Sequence, residues 1–287
     1  KPEYLWVDAQ SAIKNEIFDF AIVAVKSYDT LNLINSWQSV RSNIPPVVSF
    51  QNGVDNEKMI ADLIGLDKTI AGTVTTAIGI QNEKIIVERL RGMGIEKKDD
   101  ITDQIFEALK TSGLNPVGFQ DALSMKWSKL ITNLTTNASS AILGVKPAQI
   151  LSDKQLFSIE IDQLREALNV MNAGGIKITD LPGTAVRTFA FFVQKVPKLI
   201  SRLILYKSIV SGRGDKMPSF YIDLINGRGQ SEVDYLNGAV VRYGEIYGVK
   251  TPVNRKLNET LIKMTNGEIP LTRFQGNFDR YKKLIKE

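Results

Sequence analysis

Apolar residues follow two different patterns along the chain, and the change falls near residue 120. Before it, short β-rich apolar runs alternate with helical spacing, which is typical of strands joined by helices. The predicted strands are 20–25, 47–50, 69–80 and 84–90, and the predicted helices between them are 28–40 and 55–63. The run 20–25 is continuous, as in a strand buried on both faces of a parallel sheet. This alternation predicts a parallel α/β sheet.

Beyond residue 120, strand patterns give way to long helical segments. The predicted helices are 122–143, 153–173, 184–192, 219–225, 232–247 and 254–265. No apolar run reaches the ~18 residues needed to cross a bilayer. We therefore expect a cytoplasmic protein with an α/β domain over 1–120 and an all-helical domain over 121–287.

A polar stripe interrupts the first of these helices. Lys129, Asn133 and Asn137 recur every four residues, so a single helix would place them on one face, away from an apolar stripe that includes Trp127 and Leu130. Asn is a poor helix former, and such residues are often retained where a site needs them. The stripe is either an ordinary solvated face or a site that binds and protonates a carbonyl oxygen.

Composition narrows the chemistry further. The sequence contains neither cysteine nor histidine. This excludes disulfides, thiolate nucleophiles, cysteine-ligated zinc and catalysis by a His–Asp pair, so we expect no metal site and any proton transfer must use Lys, Asp, Glu or Tyr. The net charge of +5 comes from scattered basic residues. Scattered charge does not indicate nucleic-acid binding; it suits solubility or an anionic small molecule.

Polar residues also stand at three predicted element ends. Ser231 can cap the helix that starts near residue 232, with Glu232 at its first position and Asp234 completing a weak capping box. Glu232 is then either a favourable charge at a helix start or a functional carboxylate. Lys26 and Asn52 follow two predicted strands, where ligands bind in open α/β sheets, although each is equally an ordinary strand-end residue.

One expected feature of a dinucleotide-binding domain is missing. Such a domain opens with a strand and a G-x-G-x-x-G turn, and the sequence has no such turn before its first strand. The glycine cluster at 91–94 comes late and opens no helix. We interpret the chain as starting partway into a Rossmann-type domain.

In order and spacing, these clusters resemble the ketopantoate reductase family. The matching segments are 24–30, 51–54, 127–130 with Asn133 and Asn137, 218–219, 231–238 and 251–254, and the resemblance extends over almost the whole chain. The resemblance implies a Rossmann domain that binds NADP followed by a helical domain like that of 6-phosphogluconate dehydrogenase. It implies NADPH-dependent reduction of 2-dehydropantoate to pantoate, a step toward pantothenate.

The resemblance also implies roles for individual residues. Lys129 resembles the catalytic lysine and Glu232 its acidic partner, which also borders the cofactor. Asn133, Asn137 and Ser219 resemble substrate-binding positions. Asn52 resembles an asparagine close to both nicotinamide and substrate, and Lys26 a lysine on the cofactor side.

Two other functions stay open at this point. One is a reductase for a different keto or hydroxy acid, since segments 90–94 and 182–214 depart from the family pattern. The other is a non-catalytic binding or scaffold protein that kept the fold. The partners we expect are a small 2-keto acid and a second copy of the chain in a homodimer, with neither a nucleic acid nor a membrane.

Overall fold

The structure, a computed structural model, describes residues 8–81, 84–213 and 216–286. The chain divides into two compact units between Ala122 and Leu123. No helix in the described ranges is both long and apolar enough to cross a membrane.

The first unit is built around a five-stranded sheet. Its strands and those of a separate hairpin are β1 (Ala21–Val23), β2 (Val47–Ser49), β3 (Thr69–Val74), β4 (Ala77–Gln81), β5 (Lys84–Arg89), β6 (Met93–Glu96) and β7 (Pro116–Phe119). The sheet order is β1-β2-β3-β6-β7, and β4 pairs with β5 in the hairpin. The described residues of this unit also form the α-helices α1 (Ala9–Asn15), α2 (Thr30–Trp37), α3 (Asn56–Ile64) and α4 (Asp100–Thr111).

Helices cover both faces of this sheet. Because side chains alternate across a strand, Val47 and Val48 point to opposite faces. Val47 joins a buried cluster with residues of α1, α2 and α3, including Trp37 and Ile60. Val48 joins a second cluster with neighbouring strands and α4, including Ile105. This layering is that of a doubly wound, Rossmann-type domain.

The sheet is mixed, which corrects the prediction of a wholly parallel one. β1, β2 and β3 are parallel, and so are β6 and β7, but β3 and β6 are antiparallel. The β4–β5 hairpin between β3 and β6 reverses the direction of the chain. The prediction of one strand over 69–80 is wrong, because this segment forms two strands, β3 and β4. The strand predicted over 84–90 corresponds to β5, whereas β6 and β7 were missed because both are short and carry glycine.

The first strand is also less buried than predicted. Only Ala21–Val23 is extended, Ile22 is 54% exposed, and Val25 is 40% exposed. Among the described residues β1 pairs with β2 on one side only, which leaves it at the sheet edge. An apolar run alone does not distinguish an edge strand from a central one.

The second unit is helical, as predicted. Its helices are α5 (Ala122–Leu134, which starts at the last residue of the first unit), α6 (Asn137–Leu143), α7 (Pro147–Ser152), α8 (Lys154–Ala173), α9 (Val186–Lys195), α10 (Lys198–Arg213), α11 (Ser219–Ile225), α12 (Val233–Tyr247), α13 (Pro252–Thr265) and α14 (Phe278–Lys286). α7, α10 and α14 were not predicted. α8 lies against α7, α9, α12, α13 and α14, so it forms the centre of this unit.

The prediction of one helix over 122–143 is wrong. α5 ends at Leu134 and α6 begins at Asn137. Between them Thr136 adopts a left-handed conformation, with φ of 56°. That conformation cannot continue a right-handed helix. Asn137 therefore does not extend the face that carries Lys129 and Asn133.

Candidate active site

The rotation of α5 is fixed from two sides. Its apolar stripe, with Trp127, Leu130 and Leu134, is at most 1% exposed. On another side the Ser124 and Ser128 hydroxyls accept hydrogen bonds from the backbone N–H groups of Lys177 (3.0 Å) and Thr179 (2.9 Å). A helix held by packing and by two partly buried hydrogen bonds presents its remaining face in a defined direction.

Lys129 and Asn133 lie on that remaining face, one turn apart, and both are half-buried. A half-buried lysine next to an amide can reach a small anionic molecule and still be shielded from bulk water. Lys126, three residues earlier, differs sharply because it is only 3% exposed. The two lysines of this helix are therefore not equivalent in environment, although their formal charges are.

Asn137 sits at the first position of α6 and is 5% exposed. Its Oδ1 atom accepts a hydrogen bond from the backbone N–H of Phe220 at 3.2 Å. That contact brings the start of α6 to the start of α11, where Ser219 is exposed. The structure thus brings together Asn137 and Ser219, two of the predicted substrate-binding residues. The side-chain oxygen of Asn137 therefore connects α6 to α11.

Glu232 lies one residue before the position predicted for it. It is the N-cap residue of α12, whose first helical residue is Val233, and it is 2% exposed. Ser231 still supports the helix start, since its hydroxyl accepts from the Val233 N–H at 3.2 Å. The predicted capping box is wrong because the helix begins one residue later than the pattern indicated. A carboxylate that is almost fully buried is uncommon without a specific role or partner.

In the first unit, the loops after β1 and β2 are joined by partly buried hydrogen bonds. The Ser27 hydroxyl donates to the Asn52 carbonyl at 2.8 Å. The Gln51 amide donates to the Val25 carbonyl at 3.0 Å, and the Asn56 amide donates to the Asn52 carbonyl at 2.6 Å. Lys26 and Asn52 therefore belong to neighbouring loops at the carboxyl ends of two parallel strands, and both are half-buried.

A second polar cluster lies on α8, and sequence reasoning missed it. Glu160, Gln163 and Glu166 are spaced by three residues, face inward and are at most 9% exposed. Burial raises the pKa of Glu166, while hydrogen bonds from Asn254 and Val253 act in the opposite direction. The signal was available as three polar residues at helical spacing inside an apolar stripe. Among the described residues, no cluster of acidic side chains is arranged to hold a metal ion.

Comparison with known proteins first defines a class, in which a Rossmann-type unit precedes an all-helical unit. A PanE/ApbA family ketopantoate reductase from Ralstonia eutropha JMP134 superposes with a TM-score of 0.72 at 22% identity, covering 90% of this chain and 78% of that one. A D-mandelate dehydrogenase with NADH and anilino(oxo)acetate superposes with a TM-score of 0.70 at 21% identity, covering 88% and 78%. At these identities the likeness is one of fold.

Sequence comparison identifies the family. Residues 3–95 match the family described as "Ketopantoate reductase PanE/ApbA", and residues 121–265 match its C-terminal family, "Ketopantoate reductase PanE/ApbA C terminal". The 2-dehydropantoate 2-reductase of Pyrobaculum aerophilum is 29% identical over 238 residues, which cover 83% of this chain and 74% of that one. The chain belongs to the ketopantoate reductase family of oxidoreductases.

Proposed function

We propose that the protein reduces 2-dehydropantoate to pantoate with NADPH. The observation that carries the proposal is a pair of half-buried polar residues, Lys129 and Asn133, on a fixed face of α5. Both lie in the segment 121–265, which matches the C-terminal family of ketopantoate reductases. A 2-keto acid offers a carboxylate and a carbonyl oxygen. A lysine and an amide one turn apart supply a cation and a hydrogen-bond donor of the kind those groups need.

The residues of the first unit fit one end of a dinucleotide. Ligands of open α/β sheets bind outside the carboxyl ends of the strands. Lys26 and Asn52 lie there, in loops that partly buried hydrogen bonds join. Gly53 has a φ of 89°, a conformation that glycine adopts readily and that turns the chain after β2. When bound, the nicotinamide supplies the hydride. We assign Lys26 and Asn52 to its binding, with Asn52 also serving the keto acid.

The residues of the second unit handle the oxygen that becomes a hydroxyl. The Lys129 ammonium donates a hydrogen bond to the carbonyl oxygen and then a proton as negative charge develops there. Asn133, Asn137 and Ser219 hold the carboxylate and hydroxyl groups of the keto acid. Glu232 orients Lys129 or the substrate, borders the cofactor, and balances the positive charge of the lysine.

A related 2-keto acid is the second candidate substrate. Its support is the D-mandelate dehydrogenase with the same fold, since that protein was solved with an oxoacetate compound. An aryl-substituted 2-keto acid therefore belongs in the substrate panel beside 2-dehydropantoate. We also propose the homodimer that the family resemblance implies, which sedimentation velocity measures directly.

The test is steady-state oxidation of NADPH by the native protein with a panel of 2-keto acids, repeated with NADH. We expect the highest kcat/KM for 2-dehydropantoate and a preference for NADPH. A higher kcat/KM for another 2-keto acid would identify the second candidate instead. Failure to turn over any member, together with failure to bind either nucleotide by calorimetry, would establish the non-catalytic alternative.

A further inference from the structure

The turn between α5 and α6 is held in a conformation that its sequence disfavours. Thr136 has a φ of 56° and is fully buried. A β-branched residue with positive φ is a genuine outlier, and such residues persist only where surrounding contacts impose them. Some contact outside the turn must therefore hold Thr136 in place.

Glu160 supplies that contact from the centre of α8. It is 1% exposed, and its Oε2 atom accepts a hydrogen bond from the Thr136 N–H at 2.7 Å. Its Oε1 atom accepts from the Ser139 hydroxyl, and Gln163 Nε2 donates to Oε2 at 2.9 Å. The carboxylate thus binds residues on both sides of Asn137, at one position before it and two positions after it.

The cluster continues to the C-terminal helix. The Ser139 and Tyr281 hydroxyls lie 2.6 Å apart, and Tyr281 is fully buried. Buried polar groups that satisfy one another specify a single local geometry, because any displacement leaves one of them unpaired in a low-dielectric interior. α6 is therefore fixed at its first turn by groups from α8 and α14.

We propose that Glu160 is a positioning residue for substrate binding. By imposing the left-handed conformation of Thr136, it sets where α6 begins and hence where Asn137 points. This inference rests on the proposed function, in which Asn137 contacts the keto acid. Glu160 itself touches neither substrate nor cofactor in this proposal; it acts through Thr136 and Ser139.

The experiment compares Glu160→Ala with the double variant Glu160→Ala/Thr136→Gly in the native protein. Without the carboxylate Thr136 leaves its left-handed conformation, so we expect the KM for the keto acid to rise about tenfold or more, with the KM for NADPH unchanged. Glycine adopts positive φ without steric cost. The double variant should therefore recover the keto-acid KM to within about threefold of wild type, while its melting temperature stays low.

Glu166→Ala is the matched control. Glu166 is a buried carboxylate of the same helix, but it accepts from the backbone N–H groups of Val253 (2.8 Å) and Asn254 (2.9 Å) at the start of α13. Its loss should lower the melting temperature and leave the keto-acid KM within about twofold of wild type. If Glu160→Ala fails to fold, Glu160→Asp replaces it. Aspartate keeps the carboxylate but is shorter by one methylene, so the carboxylate moves away from Thr136 and the same rise in keto-acid KM is expected.

The inference is overturned if the Glu160 variants leave the keto-acid KM unchanged, and also by either of two further results. One is a raised KM in the Glu160 variant that Thr136→Gly does not recover, and the other is an equal rise in Glu166→Ala. Asn137→Ala separates this inference from the function on which it rests. If Asn137→Ala leaves the keto-acid KM unchanged, the positioning role and the assignment of Asn137 to the keto acid both fail, while the reductase activity stands. If Asn137→Ala raises that KM but neither Glu160 variant does, only the positioning role fails.

Discussion

Lys129 and Lys126 show how strongly one helical turn changes the environment of a side chain. Both are lysines of α5, yet Lys129 is half-buried and Lys126 is 3% exposed. The apolar stripe and the two serine contacts set the rotation of α5, and the rotation sets these exposures. Lys129 and its neighbour Asn133 are therefore partly shielded, whereas Lys126 is buried.

Removing the ammonium of Lys129 tests the assigned proton donor. We expect Lys129→Ala to lower kcat by about 10²–10⁴-fold, the usual contribution of a positioned acid, with little change in melting temperature. Lys129→Arg should not restore activity, because a guanidinium does not readily give up its proton. Steady-state kinetics and thermal unfolding measure both effects.

The control for Lys129 must be an exposed lysine of the same unit. Lys195 at the end of α9 is exposed, and Lys195→Ala should leave kcat within about twofold of wild type. Lys126 does not serve here, because its substitution disturbs a buried position. Equal losses in the Lys129 and Lys195 variants would show a general effect of positive charge and exclude the assigned role.

Substitution of Asn133 distinguishes a role in substrate binding from a role in supporting the fold. Asn133 is half-buried on the same face of α5 as Lys129. If it binds the keto acid as proposed, we expect Asn133→Ala to raise the keto-acid KM or lower kcat while the melting temperature holds. A purely structural role would instead cost about 1–3 kcal/mol from a broken buried hydrogen bond, with kinetics intact. A solvated face predicts neither change, so kinetics and calorimetry on one variant decide among the three.

At the scale of elements, the start of α8 depends on one aspartate. The Asp153 carboxylate accepts from the N–H groups of Gln155 (2.8 Å) and Leu156 (2.9 Å), and Lys282 of α14 donates to it at 2.9 Å. Burial acts to raise the pKa of Asp153, but these hydrogen bonds and the Lys282 charge outweigh it and lower the pKa. Asp153 thus caps the central helix and ties the C-terminal helix to it.

We expect Asp153→Ala to reduce the free energy of unfolding by about 1–2 kcal/mol, the upper range for an N-cap residue. Because the folded-state pKa is lowered, the stabilisation is present above the unfolded pKa of about 3.9 and is lost as pH falls through the folded value. Urea unfolding at pH 7 and below pH 4 measures both. Asp279→Ala is the control: Asp279 lies 3.9 Å from the same lysine but is 99% exposed, and its loss should have no measurable effect.

The break between α5 and α6 is the element boundary that matters most for the site. The helical spacing of apolar residues continues across the break, since Leu134 and Ala138 are four positions apart and both are buried. The break exists because Thr136 is held by Glu160, a residue 24 positions away in sequence. A periodic pattern measures only local spacing and carries no information about such a contact.

For the molecule as a whole, Tyr281 links stability to alkaline pH. Burial raises the pKa of Tyr281 well above its usual range; the nearby Glu160 charge adds to this, and the hydrogen bond with Ser139 opposes it. The folded protein therefore keeps this proton at pH values where the unfolded chain, with a pKa of about 10, loses it.

We expect the free energy of unfolding to fall above pH 10 by about 1.4 kcal/mol per pH unit from this one group, since the unfolded state then binds fewer protons. The stabilisation is complete below pH 10 and declines as pH rises toward the folded-state pKa. Tyr281→Phe should remove this part of the slope, which denaturant unfolding between pH 9 and 11 measures. An unchanged slope in that variant would mean that Tyr281 ionises equally in both states.

The sequence alone determined the class of each half and most of its elements. The strands near 21–23 and 47–49 and the helices α8, α11, α12 and α13 follow from periodicity and capping residues, which act within a few positions. The apolar side of α5 followed in the same way. The family resemblance identified Lys129, Asn133, Asn137, Ser219, Glu232, Lys26 and Asn52 as candidates, and their catalytic roles stay predictions.

The tertiary structure decided what depends on distant residues. The antiparallel pairing of β3 with β6 requires the β4–β5 hairpin between them. The exposure of β1 depends on which strands lie beside it. The network around Glu160 joins Ser139 to Tyr281 across 142 positions, and it places Asn137 at the start of a separate helix. Burial and hydrogen bonding between distant segments arise only when helices pack, so local periodicity cannot contain them.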